Sequence, residues 1–204
     1  MVLPAALLLF GPLQPADAVP LAVETDYSTV IGTLGSLIDT ASADFIGPGS
    51  VDLGDLTTDV YYDGSIYSYV HTVTPQTNNV SEFATAFGVY GFNGTAGWDF
   101  TEASAAGGDG DAGDFLVDDD LINGTIDWET TGAGLGTGNG FGSGETITFF
   151  YQSDKAPGPA YYSMINGGAG NAQTLGPTVP EPGTVLLLGS ALLGLAAIRR
   201  RNQG

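Results

Sequence analysis

Three short turn signals do most to limit what this chain can become. Asp63-Gly64, Asn93-Gly94 and Asn123-Gly124 each stand between runs in which apolar and polar residues alternate. Such pairs accept the positive φ angles that two-residue hairpin loops require, and a period of two is that of a strand. Around the first signal, residues 59–62 lead in and residues 65–74 lead out. Ile66, Val70 and Thr72 then share one face and Tyr67, Tyr69 and Val73 the other, both partly apolar, as in a sheet covered on two sides. Residues 83–92 run into the second signal and 95–101 return, with Trp98 and Phe100 alternating against Asp99. Residues 115–122 run into the third and 125–130 return, with Ile126 and Trp128 alternating against Asp127 and Glu129. Residues 146–152 are a further β-rich run.

This spacing predicts an all-β fold, an antiparallel β-sandwich or jelly-roll-like domain, over residues 19–166. No internal segment holds a 3.6-residue apolar period, and residues 28–43 fit helix or strand equally. Two glycine-rich stretches, 103–114 and 132–144, read as loops, and 167–178 reads as a linker. Glycine supplies 32 of 204 residues, about twice the usual ~7%, which suits turns better than helix bundles.

Charge excludes one class of partner. Lys155 is the single cation against 21 acidic residues between positions 19 and 179, a charge of −20. Nucleic acid and anionic lipid are bound through Lys and Arg, so neither is expected as a partner of this segment. The chain has no cysteine, which removes disulfides, thiolate metal sites and cysteine nucleophiles.

Candidate chemistry is sparse. Asp109, Asp111 and Asp114, with Asp118 downstream, form an acidic, glycine-rich stretch of the kind calcium favours. The order fails the EF-hand, because Gly113 stands where a third ligand should be. It also fails the calcium-binding nonapeptide, because Ala112 replaces an aspartate. A solvated acidic loop is the plainer reading, and calcium is the one cofactor considered. His71 is the lone histidine; it sits in a strand pattern beside Tyr67 and Tyr69 and reads as a packed imidazole rather than a base. No phosphate loop, zinc signature or dinucleotide fingerprint occurs, and the expectation is a protein that is not an enzyme. Tyr61, Tyr62, Tyr67, Tyr69, Tyr90, Trp98 and Trp128 could stack on sugar rings, although alternation sends the two tryptophans to the core. Asn93-Gly94-Thr95 and Asn123-Gly124-Thr125 also match the glycosylation pattern, but turn chemistry explains them better.

The two ends read as addresses. Residues 2–13 are almost wholly apolar, and Ala16-Asp17-Ala18 offers small residues at the positions a signal peptidase reads. Residues 1–18 are therefore expected to be a signal peptide. No basic residue precedes the apolar run, so a start codon further upstream is expected as well. At the other end, Pro180-Glu181-Pro182 is followed by an apolar run over 185–198 and then by Arg199, Arg200 and Arg201. That run suits a single transmembrane helix, short beside the ~20 residues of a usual span. The arginines would stop transfer and stay cytoplasmic, leaving the preceding domain outside.

This three-part tail, residues 179–201, resembles the PEP-CTERM sorting signal of Gram-negative bacteria that make exopolysaccharide. The resemblance implies recognition by an exosortase, a membrane protease that cuts near Pro180-Glu181-Pro182. It implies export through the inner membrane, with signal peptidase and exosortase as partners during transit. The destination is then the cell surface or an extracellular, biofilm-like matrix, where exopolysaccharide is the expected neighbour. The role implied is structural or adhesive; the alternative is a carbohydrate-binding module acting on matrix polysaccharide. The middle of the chain is also loosely similar to β-rich domains carried by such proteins, through Glu82-Phe83, Gly91-Phe92-Asn93-Gly94 and residues 144–148.

Overall fold

The computed structural model describes residues 23–77, 80–120, 124–131, 141–165 and 169–178. In chain order the strands are β1 (Val23–Asp26), β2 (Ser36–Ile46), β3 (Asp52–Tyr62), β4 (Tyr67–Pro75), β5 (Glu82–Thr85) and β6 (Phe92–Trp98). They continue with β7 (Phe115–Asp120), β8 (Thr125–Thr130), β9 (Ile147–Ser153), β10 (Pro157–Ile165) and β11 (Ala169–Pro177). Two short helices, α1 (Tyr27–Val30) and α2 (Phe100–Ala105), interrupt them.

All eleven strands belong to one sheet, in the order β1-β6-β9-β4-β3-β2-β11-β10-β5-β8-β7. Only the β1–β6 pair is parallel. The two halves of the sheet meet where β2 touches β11, through the register pair Asn171 and Ile46. From there the halves fold over each other. Phe115 on β7 packs edge-on against Trp98 on β6 at 5.2 Å and against Phe149 on β9 at 5.1 Å. Strands at opposite ends of the order thus face one another, and the sheet is nearly closed as a barrel. The all-β expectation holds. The two layers of the expected sandwich are halves of one curled sheet.

The turn signals fare unevenly. Asp63-Gly64 does join β3 to β4, but the loop is longer than two residues, because Tyr62 pairs with Tyr67. Asp63 Oδ1 accepts the backbone N–H groups of Ser65 and Ile66, each at 2.8 Å, and these bonds hold its carboxyl below its ordinary pKa. Asn123 of the third signal lies outside the described residues; β7 and β8, the strands on either side of it, pair from Phe115/Thr130 to Asp120/Thr125. Asn93-Gly94 is no hairpin turn: it lies inside β6, where the register against β9 shifts between Phe92 and Ala96. Its preceding run begins in β5, which pairs with β10 and β8 instead.

Helix α2 occupies the start of the stretch read as loop. Asp99 caps it by accepting the N–H groups of Thr101 and Glu102 at 2.9 and 3.0 Å, which fixes an N-terminus that glycine content had obscured. Residues 169–177, expected as linker, are strand β11. Their small polar residues alternate with buried Gly170, Ala172 and Thr174, so they present one face to the core despite a loop-like composition.

The core is aromatic. Phe83 stands at its centre, stacked on Trp128 at 5.4 Å and Tyr162 at 5.8 Å, tilted against Phe149 at 5.0 Å, and edge-on to Phe45 at 6.3 Å. A smaller cluster on the outer side of the sheet places Leu34, Val70 and Phe150 under Tyr27 and Val30. This cover explains why both faces of β4 are apolar. Burial, with Tyr61 and the Asp59 charge nearby, pushes the Tyr27 phenol up to about 12.

Candidate functional site

The last described residues are tied into the sheet without slack. β10 and β11 stay in register to the Pro157/Pro177 pair. One residue further, Thr178 donates both its backbone N–H and its hydroxyl to the Ala156 carbonyl oxygen, each at 2.9 Å. Thr178 is the last described residue.

Beside Thr178 lies an open groove of about 390 Å³. One wall is the connection between β5 and β6, with Phe87 and Tyr90; the other is the outward face of β10 with Pro159 and Tyr161; Pro177 and Thr178 form the end. Phe87 stands edge-on to Tyr162 at 5.3 Å, and Gly176 leaves room for both, since a β-carbon there would lie 2.7 Å from the Phe87 ring. Tyr90 and Tyr161 are 41% and 54% exposed, so aromatic faces line the groove in contact with solvent. Lys155 stands at the same corner. It precedes the anchor Ala156, its Cγ lies 3.0 Å from where a β-carbon on Gly91 would be, and its Nζ pairs with Asp154 at 2.8 Å. The sequence had pointed to Tyr90 but not to Tyr161, Phe87, Pro159 or Pro177. A Pro157-Gly158-Pro159 run ahead of Tyr161-Tyr162 was the available signal.

His71 points the opposite way, into the core. It is fully buried, ringed by Tyr162 at 4.5 Å, Tyr151 at 5.3 Å and Phe83 at 5.7 Å. Its Nδ1 shares a hydrogen with the Thr58 hydroxyl at 2.9 Å, and Thr58 meets Thr174 at 2.7 Å. Nε2 has no partner among the described residues. Burial without a countercharge holds this imidazole down to about 3, so it stays neutral and reaches no substrate.

The acidic stretch folds around one of its own members. Asp114 is fully buried and accepts the N–H groups of Asp109, Gly110 and Asp111 at 2.7, 2.8 and 3.3 Å. Asp111 in turn accepts the N–H of Gly113 at 2.7 Å. Asp118 lies on β7, away from this turn. No group of three acids or histidines able to hold a metal ion forms among the described residues. Of the four carboxylates considered for calcium, those of Asp111 and Asp114 are thus bound to backbone donors of their own loop.

Of the aromatic residues weighed for sugars, Trp98, Trp128 and Tyr69 are core residues with no exposure. Tyr62 and Tyr67 stack on each other at 4.4 Å. Asn93 is used locally, bonding Gln152 at 3.0 Å and the Thr95 N–H at 2.9 Å. Ala16 and Ala18 of the expected signal peptide lie outside the described residues, as do Pro180, Glu181, Pro182, Arg199, Arg200 and Arg201. The apolar run 185–198 lies there too. Among the described residues no helix is long and apolar enough to cross a membrane.

Comparison with known proteins finds one family. The model of the PEP-CTERM protein-sorting motif matches residues 178–201. No curated protein and no solved structure matches the chain. The match begins at Thr178, the residue that makes the final hydrogen bonds of the sheet. By this motif the chain is a PEP-CTERM protein, which implies an exported protein sorted by an exosortase.

Proposed function

We propose that the β domain is the mature part of a cell-surface or extracellular-matrix protein, and that its role is structural or adhesive rather than enzymatic. The observation that carries this reading is that the sorting motif begins in the sequence at Thr178, the residue hydrogen-bonded beside the end of β11. Export and sorting deliver the domain; its strong negative charge keeps it soluble and favours bridging through divalent cations in a polyanionic matrix. His71, the only histidine, is committed to the core, and Asp114 to its own loop, which supports a role without catalysis.

The carbohydrate-binding alternative keeps only part of its original support. Its two tryptophans and Tyr69 are buried; Tyr61, Tyr62 and Tyr67 are part-buried, and Tyr90, now joined by Tyr161, is exposed at the groove. A glycan array run on the released domain separates the two readings. A hydrolase screen covers the enzymatic one.

The test of the main reading is genetic and physical. In the native host, the gene is deleted and restored either whole or lacking residues 178–201. The expected result is a weaker matrix on deletion, rescue by the whole gene alone, and recovery of the domain with the insoluble matrix. Domain found free in the medium, with matrix cohesion unchanged by deletion, would reject the proposal.

A further inference from the structure

Strand β2 carries an edge that the sheet hardly uses. On one side it pairs with β3 from Ser36/Tyr62 to Ile46/Asp52. On the other, β11 forms a single register pair with it, Asn171 with Ile46. β11 then passes β2 by, and its Thr174 hydroxyl meets that of Thr58 on β3 at 2.7 Å. From Ser36 to Thr40 every side chain of β2 is exposed, on both faces. Eight large apolar residues are exposed among the described residues, and five of them, Ile31, Leu37, Ile38, Ile46 and Val51, lie on β2 or just beside it. A long apolar strand with an unused ladder is complementary to another extended strand, because backbone N–H and C=O groups take partners of their own kind.

Charge and pattern say which strand. The two ends of the sheet are guarded or short: β7 carries Asp118, Asp119 and Asp120 in succession, and β1 has four residues. β2 has two acids, Asp39 and Asp44, with regular pairing to β3 between them. Five positions apart, they lie on opposite faces of the strand. Directly opposite residues of an antiparallel pair share a face, so two copies of β2 never set Asp39 against Asp44. A two-fold pairing centred on Ala41 puts Asp39 opposite Ala43, Thr40 opposite Ser42 and Asp44 opposite Ile38. The strand also reads alike from either end, Leu37-Ile38-Asp39 against Asp44-Phe45-Ile46, which suits a two-fold axis, where one patch must complement itself.

We propose that β2 is a self-association edge, on which a second copy of this chain lays its own β2 antiparallel. The contact closes at two copies, because the other side of β2 belongs to β3. It goes beyond the role in the matrix and does not depend on it.

The test uses the full chain in its native host, where the absence of native cysteine makes a single introduced one informative. Thr40→Cys, Ala41→Cys and Ser42→Cys are made one at a time and exposed to a mild oxidant, with Leu116→Cys, at an exposed position of β7, as the control. Ala41→Cys is expected to give about tenfold more covalent homodimer than the control, because thiols held side by side react at an effective concentration in the millimolar range. Adding Leu37→Asp with Ile38→Asp, both at exposed positions, should return that yield to the control value without lowering the melting temperature. Equal yields on β2 and β7, or a yield that survives the two aspartates, would overturn the proposal. So would capture of the β2 cysteines in a mixed disulfide with a different protein, which would assign the edge to a foreign strand.

Discussion

Thr178 reaches the Ala156 carbonyl oxygen twice, through its backbone N–H and through its hydroxyl, each at 2.9 Å. The sheet therefore ends at the residue where the sorting motif starts.

That anchor depends on the residue packed beneath it. A β-carbon on Gly158 would overlap the Thr178 methyl group. Gly158→Ala is expected to speed amide exchange at Thr178 by about tenfold, the loss of roughly one net hydrogen bond. Exchange at Val60, in the centre of β3, should not change. Equal protection of Thr178 in both proteins would show that the anchor is not set by this contact.

Phe83 meets five aromatic rings across the barrel interior, the His71 imidazole among them, and none of its side chain is exposed. Phe83→Ala is expected to cost about 3–5 kcal/mol in urea unfolding followed by tryptophan fluorescence. A cost below about 1 kcal/mol would mean that the interior relaxes to fill the void, contrary to the packing described.

The sequence made the strands legible where alternation was clean. β4, β8 and β9 could be placed from Tyr69, Trp128 and Phe149 because each puts its large residues on a core face. Pairing was less visible, since Asn93-Gly94 carries the same local chemistry whether it turns a hairpin or shifts a register. β11 was hidden by composition: its buried positions are Gly170, Ala172 and Thr174, small enough to resemble a linker. The sorting motif was legible because its parts are contiguous in the sequence. The groove was not, because Tyr90, Lys155, Tyr161 and Thr178 converge only through the β10–β11 pairing and the turn before β6.

The buried imidazole gives a defined pH response. In the folded protein His71 is held down to about 3, whereas in the unfolded chain it titrates near the ordinary imidazole value of 6.5. The neutral form is favoured by folding, so this contribution is whole above pH 6.5 and is lost as pH falls towards 3. By pH 5 the loss is about 2 kcal/mol, from ~1.5 pKa units at ~1.4 kcal/mol each. His71→Phe, which leaves Thr58 bonded to Thr174, should remove the slope between pH 6.5 and 5. An identical slope in both proteins, measured by urea unfolding, would place the sensitivity elsewhere.

Asp114 is predicted to act on its loop and not on a metal. Asp114→Asn replaces one acceptor oxygen by a donor facing the N–H groups of Gly110 and its neighbours, an expected cost of about 1–3 kcal/mol. The drop in melting temperature should be the same with calcium and with chelator. A calcium-dependent rise in the unsubstituted protein that disappears in the variant would make Asp114 a ligand after all.

The account as a whole stands on the junction between sheet and sorting motif. The most direct test is the intact mass of the protein recovered from the native host, with and without its exosortase. The account predicts a chain released only when exosortase is present, ending within a few residues of Thr178 near Pro180-Glu181-Pro182. Recovery of the uncut chain from the membrane in both strains would contradict it.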